Sequence, residues 1–80
     1  MSAADHTAKL IRMANQIATF FHPYPEEEAV ASVATHIRDF WTPKMREALA
    51  AYCTDDGKGV DPLVLKAVEA ERGRAEPQAA

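Results

Sequence analysis

The stretch "HIRDFWTPKMRE", residues 36–47, decides how this chain folds. It continues one helical pattern, runs into Trp41-Thr42-Pro43, and then opens another. Proline disfavours the α conformation in the residue before it. Thr42 is therefore pushed into extended backbone, where its hydroxyl suits the N-cap of the segment that follows. Pro43 suits the first helical position, because its missing N–H would have no partner there. One helix ends and the next begins with no slack between them.

Upstream, Val30, Val33, Ala34, Ile37, Phe40 and Trp41 recur at helical spacing as one apolar stripe, with Ser32, Thr35, Arg38 and Asp39 facing away. This second helix is expected to start at Pro25, followed by Glu26, Glu27 and Glu28 in its first turn. Negative charge there meets the positive end of the helix dipole, so the acidic run reads as a helix-start device rather than a metal site. Further back, Leu10, Met13, Ala14, Ile17, Phe20 and Phe21 mark a first helix over residues 5–21 with Asp5 as its N-cap. The prolines of "HPYP" (22–25) stop it.

Downstream, a third helix is expected to run to about Tyr52 and to bury Met45, Ala48, Leu49 and Tyr52. "TDDGKGVD" (54–61) is a loop by composition. Asp61-Pro62 repeats the cap-then-proline start, and the fourth helix buries Leu63, Val64, Ala67 and Val68. The end, "GRAEPQAA" (73–80), holds no large apolar residue and reads as a disordered tail. The expected fold is all-α: a small bundle of about four short helices, with residues 1–72 as one domain.

Eighty residues allow one domain at most. A chain so short buries only about 60–65% of its unfolded surface, which leaves its stability marginal. Cys53 is the only cysteine, so no disulfide closes within the chain, and a lone thiol suits a reducing compartment. The start lacks the apolar run of a signal peptide, and no stretch is long enough to span a bilayer. The expectation is a soluble, cytoplasmic protein with no membrane partner. A formal net charge of −3 speaks against nucleic acid as a partner.

The residue types that carry chemistry do not assemble into a catalytic pattern. His6, His22 and His36 lack a second His or Cys at the spacing that builds a zinc site on a helix. His36 and Asp39 share a helix face, but no nucleophile accompanies them. Cys53 falls at the end of a helix, where the dipole disfavours a thiolate. A calcium loop starting at Asp55 would need side-chain oxygens where Gly57 and Gly59 stand, and a glutamate where Lys66 stands. "GKG" lacks the spacing and the Ser or Thr of a phosphate loop. Arg38, Lys44 and Arg46 gather at a helix corner, but the acidic balance and the proline-tight turn oppose a DNA-reading helix-turn-helix. No metal, flavin or nucleotide is expected on this chain.

What remains is a surplus of large apolar side chains: Phe20, Phe21, Tyr24, Phe40, Trp41, Met45 and Tyr52 exceed what such short helices can cover. Trp, Tyr, Met and Arg are enriched in protein interfaces. The expectation is a partner-binding patch around the Phe40-Trp41 corner, with Arg38 and Arg46 flanking it. Trp41 is either an anchor of that patch or the central core residue of the bundle.

The segments "RMANQIATFF" (12–21), "EEA" (27–29), "VATHIRDFWTPKMREAL" (33–49) and "DPLVLKAV" (61–68), in this order, resemble the delta subunit of cytoplasmic, NAD-dependent, molybdenum- or tungsten-containing formate dehydrogenases. The loop departs from that family, which tends to carry a Gly-Gly-rich turn where this chain has "DDGKGVD". The resemblance implies a non-catalytic accessory subunit that supports assembly or stability of a large subunit. That alpha subunit carries the molybdopterin metal centre and oxidises formate. Other subunits pass electrons through iron–sulfur clusters and FMN to NAD. Phe20, Phe21, His36, Arg38, Phe40, Trp41, Pro43, Met45 and Arg46 are the residues expected to meet the partner. A transient maturation chaperone and an unrelated helical regulatory module are the competing readings.

Overall fold

The computed structural model describes residues 3–75, and every element in that span is helical. Four helices follow in order: α1 (Ala3–Phe21), α2 (Glu26–Phe40), α3 (Pro43–Asp55) and α4 (Pro62–Ala75). The all-α bundle and its three breaks match the expectation. The ends differ slightly. α1 already begins at Ala3, so Asp5 lies inside the helix instead of capping it. Pro25 is the N-cap of α2 instead of its first residue, with ψ of 142° and its carbonyl accepting from Ala29 N–H at 2.8 Å. α3 continues past Tyr52 to Asp55. α4 takes in Gly73, Arg74 and Ala75, and residues 76–80 of the expected tail lie outside the described residues.

The corner behaves as its residue types demand. Trp41 and Thr42 are both extended, with ψ of 146° and 159°. The Thr42 hydroxyl accepts from Met45 N–H at 3.2 Å, and Pro43 occupies the first turn of α3. Two extended residues swing the chain outward. As a result α2 and α3, neighbours in sequence, barely touch, and α2 packs instead on α4 and α1, while α3 packs on α1 and α4.

The core is built from small side chains. Ala14, Ala18, Ala29, Val33 and Val64 are fully buried, and Leu10 and Leu49 are the largest side chains to disappear from the surface. Small residues let the helix backbones approach closely, and this leaves little room for rings. Of the aromatic residues only Trp41 enters the core, at 6% exposure. Phe20 and Phe40, which belong to the apolar stripes by spacing, are 69% and 73% exposed. Each stands one position off the inward stripe of its helix, which runs through Ala14, Ala18 and Phe21 in α1 and through Val33, Ile37 and Trp41 in α2.

The loop between α3 and α4 is fastened rather than loose. Gly57 and Gly59 take positive φ, +68° and +82°, as α3 closes with Gly57 N–H donating to Tyr52 carbonyl. Asn15, on α1, donates to the Gly59 carbonyl and accepts from Asp61 N–H, each at 2.9 Å. Asp61 in turn caps α4 by accepting from Leu63 N–H.

Candidate functional site

The nine residues expected to form one patch divide between two sides of the bundle. Phe20, Phe21, His36, Phe40, Trp41 and Met45 line one open groove of about 630 Å³, joined by Met13, Gln16 and Ile17 from α1. Pro43 and Arg46 line a second, smaller hollow of about 320 Å³. That hollow lies in the wedge that opens where α2 and α3 diverge, over Ala34, Ile37, Leu49, Ala50, Ala67 and Val68. Arg38 belongs to the same side. It donates to Glu71 of α4 at 3.2 Å, and Arg46 donates to the Arg38 carbonyl at 3.2 Å. Arg38 and Arg46 therefore do not flank the aromatic groove as expected: they tie α2, α3 and α4 together.

The aromatic groove runs between the C-terminal half of α1, from Met13 to Phe21, and the last turns of α2, and Met45 of α3 also lines it. Three ring contacts shape it. Phe20 meets Phe21 edge-on with centroids 5.0 Å apart, Phe21 meets Tyr24 at 5.5 Å, and His36 lies over Phe40 at 4.7 Å. Such pairs fix ring orientation at little cost. Trp41 forms the floor. In the free chain the indole takes the core role of the two that its sequence left open. The exposed rings are Phe20 and Phe40, with Tyr24 at 43% beside them.

Titratable groups are dispersed. His22 pairs with Asp61 at 2.7 Å and Lys66 pairs with Glu26, and none of the four lines the groove. No hydrogen bond joins His36 to Asp39 among the described residues; His36 is occupied by its contact with Phe40. Burial pushes the Cys53 thiol up from its ordinary value of 9.0, which disfavours the reactive thiolate. Among the described residues, no group of three or more His, Cys, Asp or Glu side chains is placed to hold a metal ion, and no helix is long and apolar enough to cross a membrane.

Sequence reasoning missed Met13 and Ile17 as groove residues because their spacing marks them for the core, which they also partly fill. It missed Asn15 and His22 as the fasteners of the loop, since their partners lie 39 to 46 residues away.

The sequence model of the NADH-dependent formate dehydrogenase delta subunit family, FdsD, matches residues 9–68. The chain belongs to this family. The match takes in the α2–α3 corner, the groove and the fastened loop, and ends within α4. As an FdsD-family chain it is a small subunit of a formate dehydrogenase complex that uses NAD. No curated protein and no solved structure shows significant similarity to it.

Proposed function

We propose that this chain is a non-catalytic accessory subunit of a cytoplasmic formate dehydrogenase complex. It binds the catalytic alpha subunit through the groove edged by Phe20 and Phe40, and so stabilises or helps to assemble that subunit. The observation that carries the reading is the pair of phenylalanines, 69% and 73% exposed on one groove of a family-assigned subunit. Fully covering a phenyl side chain stabilises by roughly 1.5–3 kcal/mol, so two bare rings are a substantial drive for association. The formate chemistry, the molybdopterin centre, the iron–sulfur clusters and the FMN belong to the other subunits, and this chain contributes surface.

A lasting association suits this surface better than a passing one, because permanent interfaces are the more hydrophobic. Copurification tests both points. The chain is expected to stay with the alpha subunit at equal stoichiometry through gel filtration, whereas a maturation chaperone would be lost. The double variant Phe20→Ala/Phe40→Ala is expected to lose capture of the alpha subunit while melting close to the parent chain. Undiminished capture by that variant would place the binding surface elsewhere.

A further inference from the structure

The groove continues past its Phe40 edge. Phe21, His36 and Phe40 are shared with a second depression along the outer face of α2, lined also by Glu28, Ala31, Ser32, Thr35 and Asp39. Phe40 stands as a ridge between the two. Glu28 and Asp39 close this second depression at its two ends, and their charges are free to meet a partner. Glu28 makes no ion pair among the described residues. Asp39 has only a 3.7 Å approach from Arg38, a guanidinium already engaged closer, with Glu71. The two carboxylates are eleven residues apart, which returns them to the same face about 16 Å along the helix.

A surface of this kind, edged by the rings of Phe21 and Phe40 and carrying a carboxylate at each end, selects its occupant by charge as well as by shape. An isologous contact with a second copy would set these carboxylates against one another, or against the same acidic edge, which disfavours self-association here. An amphipathic helix offers apolar anchors on one face at three- and four-residue spacing and charges along its flank, which suits exposed rings beside two carboxylates on one helix face. We propose that the outer face of α2, with the Phe40 ridge and the depressions on its two sides, receives a short amphipathic helix of the alpha subunit, whose apolar anchors cover Phe20 and Phe40 and whose Lys or Arg residues, about three turns apart, meet Glu28 and Asp39. This rests on the function proposed above and adds the chemistry of the partner segment.

The experiment compares three full-length chains for association with alpha subunit purified from a strain lacking this chain: the parent, Phe20→Ala/Phe40→Ala, and Glu28→Lys/Asp39→Lys. Both charged residues are exposed, and Glu28 belongs to the acidic first turn of α2, so the reversal is expected to lower the circular-dichroism melt slightly while leaving the chain folded at the assay temperature. At about 0.05 M salt the charge-reversed chain is expected to associate roughly tenfold more slowly than the parent, and the gap should close by about 0.5 M salt. Equal association at every salt concentration, with the phenylalanine variant still losing capture, overturns the basic-helix inference and leaves the accessory role standing. Parent-like binding by both variants sinks both. Faster binding after charge reversal also overturns the inference, since it means an acidic partner. A photo-crosslinking residue at position 20 then identifies the captured segment: a helix with basic residues about eleven apart is expected, and an extended or acidic segment, or a second copy of this chain, is incompatible with it.

Discussion

Trp41 is extended in backbone and buried in side chain, and both properties come from its neighbours. Pro43 forces the residue before it out of the helix, and the stripe Val33–Ile37–Trp41 keeps the indole on the inner face. Removing a buried tryptophan typically costs about 3–5 kcal/mol, which is comparable to the whole stability of a domain this small. Trp41→Ala is therefore expected to abolish the cooperative thermal transition seen by circular dichroism; a parent-like melt would show that the indole is not structural. Cys53 carries a second expectation. Desolvation raises its folded-state pKa, so folding favours the neutral thiol. The stability linked to it is fully present below the ordinary value of 9.0 and declines as pH rises through the higher folded value. Chemical denaturation at pH 8 and pH 10 should show a loss on the alkaline side that Cys53→Ala reduces, and alkylation at pH 8 should be slower in the folded chain than in denaturant. At this scale the cap at Thr42 and the proline start are legible from residue type, because each depends on neighbours within a few positions, whereas the upward shift of the Cys53 thiol comes from burial, which residue type does not show. The burial of Trp41 was legible only as one of two options, since spacing tells which face a ring is on and not whether another helix covers it.

Among the elements, the segment between α3 and α4 departs most from its sequence reading. "TDDGKGVD" is a loop by composition, and the positive φ of Gly57 and Gly59 agrees with that. Its rigidity comes from elsewhere: the Asn15 amide holds both the Gly59 carbonyl and the Asp61 N–H, Tyr52 hydroxyl donates to the Lys58 carbonyl, and His22 meets Asp61. A polar residue in the middle of a helix ordinarily looks like solvent-facing filler, so nothing local marks Asn15. Asn15→Ala leaves two backbone groups of the loop without their partner, one of them part-buried. The expected cost is about 1–2 kcal/mol, with faster amide exchange at Asp61 and little change within α2. Unchanged exchange at Asp61 would show that the loop is held without Asn15. The acidic first turn of α2 and the repeated cap-then-proline starts, by contrast, were readable because they act within one turn.

For the whole molecule, the decisive property is that the core is mostly alanine, valine and leucine, with Ile37 and Trp41, while two of the three phenylalanines stay outside. Close helix packing over small residues stabilises the bundle and leaves Phe20 and Phe40, one position off the inward stripes, outside it. The same packing separates the residues of one sequence corner: Phe40 and Met45 go to the aromatic groove, while Arg38, Pro43 and Arg46 go to the α4 side. The sequence by itself determined the number of helices, the breaks between them and the all-α class, because these follow from periodicity, proline placement and capping, all of which act over a few residues, and its quoted motifs carried the family resemblance. Only the tertiary structure decided which apolar residues are core and which are surface, that the arginines brace the bundle, and that α2 and α3 diverge. Those outcomes depend on how the helices are turned and spaced against one another, which is set by contacts between residues far apart in the chain.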